Sequence, residues 1–217
     1  MDVCSTCDAS MMLRVNTVRE DTGSEGPGRR FCVWVQGCSR HCPGCFAEDL
    51  WDHRGGYELS VDDLCGQLDR RLAVAPTLEG ITLLGGEPFE QAEALAQFAA
   101  YARAQGLSVF CFSGYTLNEL ESGRVPGAAE LLAQVDVLAA GPYVRDERDF
   151  SRPWVGSRNQ EFFFLTDRYE ADSFLSARNR VEVRLRPDGS ITLNGMAAFF
   201  DRPAMGDCAP QEKGSDR

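Results

Sequence analysis

Lysine is almost missing from this chain: Lys213 is the only one, and the other basic residues are arginines. Chemistry that needs a catalytic amine therefore has no donor in the body of the fold. Positive charge is scarce overall. Against 33 Asp and Glu stand 22 Lys and Arg, a formal net charge of -11, which argues against non-specific nucleic-acid binding, since that wants basic patches. Long hydrophobic runs are also absent. No stretch approaches the roughly 20 apolar residues of a membrane span and no signal peptide opens the chain, so a cytoplasmic protein with no membrane partner is expected. At 217 residues the chain has ample length for one core. It falls short of the roughly 250 of a complete eight-fold barrel, so a parallel α/β architecture would have to be shortened.

Cysteine, by contrast, is plentiful: there are nine, which in an intracellular chain of this size point to metal binding rather than disulfides. Three of them, Cys38, Cys42 and Cys45, lie in the stretch Gly37-Cys38-Ser39-Arg40-His41-Cys42-Pro43-Gly44-Cys45-Phe46, spaced C-x3-C-x2-C directly after the apolar run Phe31 to Val35. Spacing that tight suits loop-borne thiolates gripping one compact inorganic centre. An ordinary electron-transfer 4Fe-4S cluster takes four Cys, and a local fourth is missing here. A cube held by three thiolates leaves one iron open to a substrate or cofactor. The competing reading is a zinc site with His41 or another Cys as fourth ligand, although zinc sites usually pair two knuckles and no second one follows downstream.

This spacing, with an aromatic residue next, resembles the radical S-adenosylmethionine enzymes, and Phe46 fills the aromatic position. The resemblance implies that Cys38, Cys42 and Cys45 ligate a 4Fe-4S cluster. The amino and carboxylate groups of S-adenosylmethionine would chelate the fourth iron. In that family the reduced cluster cleaves the sulfonium to methionine and a 5'-deoxyadenosyl radical that abstracts a hydrogen atom; this chemistry is the cofactor's, and the protein supplies position and shielding.

Gly80 to Leu84 reads as a buried strand running into Gly85-Gly86-Glu87-Pro88. Two glycines at the carboxyl end of a parallel strand let backbone approach a ligand, and Glu87 offers an anionic acceptor suited to an ammonium group. The quartet is similar to the family's motif for the amino group of S-adenosylmethionine; taken alone it is also an ordinary strand-to-helix turn. Leu107 to Phe112 predicts a further strand ending at Ser113-Gly114, candidate contacts to the methionine or ribose part of the cofactor. Their plainer reading is a turn before a helix capped by Thr116 and Glu119.

Along the rest of the chain, Leu13 to Val18 alternates as a short edge strand. Gly26-Pro27-Gly28 precedes the first barrel strand, as in activating enzymes of glycyl-radical proteins. Helices are expected from Val61 to Leu72, with Ser60 as cap, from Glu90 to Ala104 and from Ala128 to Gln134. Cys65 and Cys111 read as core. Strands are expected at Val135 to Ala140 and Glu161 to Leu165. The strand ending Gly141-Pro142-Tyr143, followed by Trp154 and Gly156-Ser157-Arg158-Asn159-Gln160, resembles the activating proteins of the anaerobic ribonucleotide reductase. Asn159 is read as a polar wall near the cofactor or as a loop cap. Asn179 to Leu185 and Ser190 to Asn194, joined by Pro187-Asp188-Gly189, form a hairpin.

Residues 1–12, with Cys4 and Cys7, and 201–217, with Cys208, read as tails; Met12 is a second candidate start. Residues 13–200 then form one domain: a partial parallel (β/α)6-type barrel of the radical S-adenosylmethionine superfamily with a C-terminal hairpin at about 179–194. The resemblance implies an activase that installs a glycyl radical on an anaerobic ribonucleotide reductase large subunit, or another glycyl-radical protein, with a flavodoxin- or ferredoxin-type reductant. The alternatives are the same machinery acting on a small molecule or ribosomal peptide, and an electron-transfer or zinc-binding module.

Overall fold

A computed structural model describes residues 11–185, 188–189 and 191–196. Residues 1–10 and 201–217 of the expected tails, with Cys4, Cys7 and Cys208, lie outside the described residues, as does Pro187 of the hairpin turn.

The chain opens with β1 (Met12–Thr22), which pairs antiparallel with β2 (Arg30–Val35). It is longer than expected and is not an edge. A four-residue strand β3 (Tyr57–Ser60) pairs along its outer side, from Met12 with Ser60 to Val15 with Tyr57. Tyr-Glu-Leu-Ser alternates apolar and polar, but over only four residues that run straight into the helix cap at Ser60, too short a run to read as a strand. Ser60 then caps α1 (Val61–Val74), its hydroxyl accepting from the Asp63 amide at 3.0 Å.

From here the chain is regular. β4 (Gly80–Gly85) adds parallel to β2, one 3-10 turn over Pro88–Gln91 precedes α2 (Ala92–Ala104), and β5 (Ser108–Ser113) adds parallel to β4. The expected capping box at Thr116 and Glu119 starts α3 (Leu117–Glu121); α4 (Ala128–Leu132) follows, and β6 (Val137–Ala140) joins parallel to β5. Next, β7 (Glu161–Phe164) turns back antiparallel, and α5 (Ala171–Leu175) leads to the hairpin of β8 (Val181–Leu185) and β9 (Ile191–Gly195). The sheet order is β3-β1-β2-β4-β5-β6-β7, with the hairpin as a separate two-stranded sheet. The fold is therefore mixed α/β with a mostly parallel centre and a C-terminal hairpin. Four strands run parallel; β1 and β7 are antiparallel because no crossover helix intervenes between β1 and β2 or between β6 and β7. Among the described residues no helix is long and apolar enough to cross a membrane.

The pleat divides the core. Phe31, Val33, Val35, Ile81, Leu83, Val109 and Cys111 pack with Leu64, Leu68, Leu95 and Phe98 of α1 and α2. Each fully buried large side chain contributes about 1.5–3 kcal/mol. On the opposite face Phe110, Val137 and Ala139 pack with Trp154, Val155 and Phe174. Arg30 is buried on that face too. Its Nε donates to the Thr82 hydroxyl at 2.6 Å, Nη1 to the Ser108 hydroxyl at 3.0 Å, and Nη2 to the Ile81 carbonyl, which compensates for the lost hydration of the charge. These contacts hold the amino end of the parallel strands. Gly26-Pro27-Gly28 lies at this end as well, since Arg30 Nη1 also donates to the Pro27 carbonyl. Parallelism places the loops after β2, β4, β5 and β6 at the other end, where such sheets bind ligands.

Candidate functional site

At the carboxyl end of β2 the chain enters the cysteine loop through Gly37, whose φ of 99° suits only glycine. The loop is braced by backbone: the Gly37 amide donates to the Leu50 carbonyl at 2.8 Å and the Cys38 amide to the Trp51 carbonyl at 3.2 Å. Gln36 holds the return path, donating from Nε2 to the carbonyls of Asp49 and Asp52. His41 takes the left-handed conformation at φ 44°, and its ring stacks on Trp51 with centroids 4.7 Å apart. It is a loop-shaping residue in this arrangement.

All three loop cysteines are free; Cys38 is buried, Cys42 and Cys45 half-buried. Burial pushes the Cys38 thiol up to about 11, opposed by the amides of Arg40 and His41 that point at its sulfur. Burial also raises Cys45, whose sulfur accepts the Ala47 amide at 3.5 Å. Amide donors aimed at sulfur are the contacts that support thiolates around an iron-sulfur centre. Among the described residues no three His, Cys, Asp or Glu side chains converge on one point as a single-ion site requires. Three free thiols on a braced loop, with amides directed at two of the sulfurs, fit a cluster with three protein ligands.

Gly85-Gly86-Glu87-Pro88 does something the sequence reading did not foresee. Its glycines approach the cysteine loop itself. The Gly86 amide donates to the Val35 carbonyl and the Glu87 amide to the Gly37 carbonyl, each at 2.8 Å. A Cβ on Gly86 would sit 2.2 Å from the Gly37 oxygen, so only glycine permits this contact. The Glu87 carboxylate is fully buried and already taken. Oε1 accepts the Phe89 amide at 3.0 Å and the Ser113 hydroxyl at 2.9 Å, and Oε2 accepts the Gly114 amide at 2.7 Å. Burial nevertheless raises its pKa to about 7, against the pull of those donors. Glu87, Ser113 and Gly114 are thus brought together, as one latch between the ends of β4 and β5. Pro88 starts the 3-10 turn behind it.

Two acids that the motifs do not contain complete the bracing. Glu90 accepts the Ser39 amide at 2.8 Å through Oε1 and meets His53 Nε2 at 2.8 Å through Oε2. Glu119 pairs with Arg40 at 3.2 Å, and the Arg40 guanidinium lies 4.6 Å from the Tyr115 ring centroid. Sequence offered Glu119 only as a helix cap and Glu90 only as a helix start; neither carries a signal of long-range contact. Phe46 projects outward, with the rings of Tyr143 and Phe150 each 5.7 Å away. It joins the cysteine loop to the loop after β6. In that loop Gln160 is a brace, its Oε1 accepting the Gly156 and Ser157 amides. Asn159 is half a brace: Nδ2 donates to the Pro142 carbonyl at 2.7 Å, while Oδ1 is buried with no partner.

Residues 24–163, which contain the cysteine loop and the latch, match the model of a family described as a 4Fe-4S single cluster domain. The anaerobic ribonucleoside-triphosphate reductase-activating protein of Escherichia coli K12 is 30% identical over 143 residues, covering 62% of this chain and 88% of that protein. The protein of that name from Salmonella typhi is 31% identical over 144 residues, with the same two coverages. The chain belongs to this family of reductase-activating proteins. A viral member, from Enterobacteria phage T4, is 27% identical over 149 residues, which cover 65% of this chain and 88% of the phage protein. The family match ends at residue 163, before the β8–β9 hairpin begins at Val181.

Proposed function

We propose that this protein activates an anaerobic ribonucleotide reductase by installing a glycyl radical on it, using a 4Fe-4S cluster and S-adenosylmethionine. What carries the reading is the family match running through the cysteine loop and the latch. When bound, the cluster and S-adenosylmethionine supply one-electron cleavage and hydrogen-atom abstraction. Cys38, Cys42 and Cys45 would hold three irons, and the family's radical S-adenosylmethionine architecture would correspond to the parallel strands β2, β4, β5 and β6 as part of a (β/α)6-type barrel within residues 13–200. A soluble reductant of flavodoxin or ferredoxin type would deliver the electron, in the cytoplasm.

The chain's own residues do the positioning. Glu87, Ser113 and Gly114 fix the spacing of the β4 and β5 ends, and the Gly86 and Glu87 amides seat the entry to the cysteine loop on them, between Gly85 at the strand end and Pro88 at the start of the 3-10 turn. Because the Glu87 carboxylate already has three protein donors, its support of the cofactor's amino group would run through backbone placement as much as through direct contact. Asn159 Oδ1, the buried acceptor without a donor, is suited to an ammonium or hydroxyl of the cofactor. Phe46 shields the same rim.

The test is anaerobic incubation of reconstituted protein with its reductase, S-adenosylmethionine and a reductant. The expected result is a glycyl doublet on the reductase by electron paramagnetic resonance. A reductase without a signal beside a protein that does release 5'-deoxyadenosine would overturn the assignment of this partner.

A further inference from the structure

The hairpin of β8 and β9 lies outside the family match, so the shared chemistry does not account for it. Its register places Val183 opposite Leu193 and Leu185 opposite Ile191, so four apolar side chains share one face. They are 59%, 51%, 75% and 60% exposed respectively, an unusual arrangement for four adjacent large aliphatics. The other face is firmly seated on the β1–β2 linker. Glu182 accepts the Thr22 hydroxyl at 2.8 Å and the Gly23 amide at 2.7 Å, Asn194 Nδ2 donates to the hydroxyls of Thr22 and Ser24, and Arg184 donates to the Asp21 carbonyl. The apolar face is therefore held outward by a polar face bonded to the body of the protein through Glu182, Arg184 and Asn194.

That face is continuous with a cavity. Leu193, Asn194 and Gly195 line a space of about 430 Å³ whose facing wall includes Phe46, Ala47 and Leu50, the end of the cysteine loop. The lining between them is mixed: Trp34 adds an aromatic ring and Arg19, Glu25 and Asp49 add charge, while Asn16, Thr17 and Asn194 are hydrogen-bonded to protein neighbours. A polypeptide lying on Val183, Leu185 and Ile191 would pass over Leu193 directly into the space beside the cysteine loop.

We propose that the outer face of this hairpin is the docking surface for the reductase, and that it guides the segment to be modified into the cavity beside Phe46 and Ala47. This rests on the activase function proposed above. The hairpin thereby sets partner recognition, leaving cluster and cofactor binding to the shared motifs. The apolar contact supplies affinity, and the cavity gives the extended chain room beside the cysteine loop.

Two measurements test it on the full chain. First, Leu185→p-benzoylphenylalanine is irradiated with the reductase present under anaerobic conditions. An adduct joining the two proteins is expected; adducts confined to the chain's own termini, or to a second copy of the chain, would overturn the proposal. Second, the double variant Leu185→Ser/Ile191→Ser is titrated with reductase and the glycyl radical counted. Half-maximal radical formation should need about tenfold more reductase, with the yield at saturation retained. An unchanged half-saturation would overturn the proposal. A wild-type protein that installs no radical at any reductase concentration would refute the activase function itself, and is thereby told apart from a failure of the hairpin alone.

Discussion

The Ser113 hydroxyl donates to the buried carboxylate of Glu87 at 2.9 Å, across the gap between two parallel strands and at the rim that carries the cysteine loop. With the Gly114 amide on the other oxygen, this bond turns a sequence motif into a fastening between β4 and β5. Replacing Glu87 with Gln keeps the shape but gives one arm only donors, so one of the three contacts becomes donor against donor. The expected cost is about 1–3 kcal/mol. Thermal unfolding of Glu87→Gln should show it, and calorimetry should show weaker S-adenosylmethionine binding while iron content is kept. Unchanged cofactor affinity would mean that the latch serves the fold alone.

The same carboxylate makes stability depend on pH. Its folded pKa is raised by burial to about 7 from an ordinary value of 4.5. The folded state therefore binds a proton more readily than the unfolded state. The contribution is fully present below about pH 4.5, is lost as pH rises through about 7, and is flat beyond. Glu25, raised to about 7 by burial, acts in the same direction. The difference in melting temperature between wild type and Glu87→Gln isolates the Glu87 share. It should move against the wild type from pH 5 to pH 8; a difference that stays constant over that range would contradict the assignment.

Glycine at position 86 is required by contact and glycine at 66 is not. Gly86→Ala drives a methyl group into the Gly37 carbonyl, and the strain should cost about 1–3 kcal/mol and reduce the iron retained after reconstitution. Gly66 lies within α1, where an added Cβ meets nothing closer than the tip of Arg70 at 3.4 Å. Gly66→Ala should instead stabilise by about 0.5–1 kcal/mol. Chemical denaturation of the two variants, read side by side, should give opposite signs.

The thiols divide into two groups. Cys38→Ala, Cys42→Ala and Cys45→Ala should each lose the cluster absorbance, whereas Cys32→Ala, Cys65→Ala and Cys111→Ala should keep it, because those three are buried in the sheet and on α1. Iron per chain after anaerobic reconstitution measures this. Full iron in any variant of the first group removes that residue from the ligand set.

Asn159 offers a narrower test. Its Oδ1 lacks a donor while its Nδ2 is engaged with Pro142. Asn159→Ala should weaken S-adenosylmethionine binding roughly tenfold, the range of one buried hydrogen bond. Equal affinity in equilibrium binding would assign the residue to the loop alone.

Much of this was legible in the residues because local rules and the fold agree. Cys38, Cys42 and Cys45 declare themselves by spacing, and β2, β4, β5 and β6 by apolar runs ending in glycine or serine. Thr116 and Ser60 declare helix starts by their caps. What was not legible depends on partners distant in sequence. Glu87 reads as a free anionic acceptor until Ser113 and Gly114, 26 and 27 residues away, occupy it. β3 escapes the sequence because an alternation of four residues, Tyr-Glu-Leu-Ser, is too short to stand alone and is fixed only by pairing with β1. Glu90 looks like any helix-start acid, yet it holds the Ser39 amide 51 residues back. The hairpin was legible from its turn, but which face points outward was not: that is decided when Glu182 and Asn194 claim the inner side and leave Val183, Leu185, Ile191 and Leu193 on the other.

The most direct measurement is electron paramagnetic resonance of the anaerobically reconstituted and reduced protein, recorded without and with S-adenosylmethionine, together with an assay for 5'-deoxyadenosine. A spectrum that shifts on adding the cofactor, with deoxyadenosine released, is the expected result for a cluster held by Cys38, Cys42 and Cys45 with one iron open. A cluster indifferent to the cofactor, or a protein that holds zinc in its place, would contradict it.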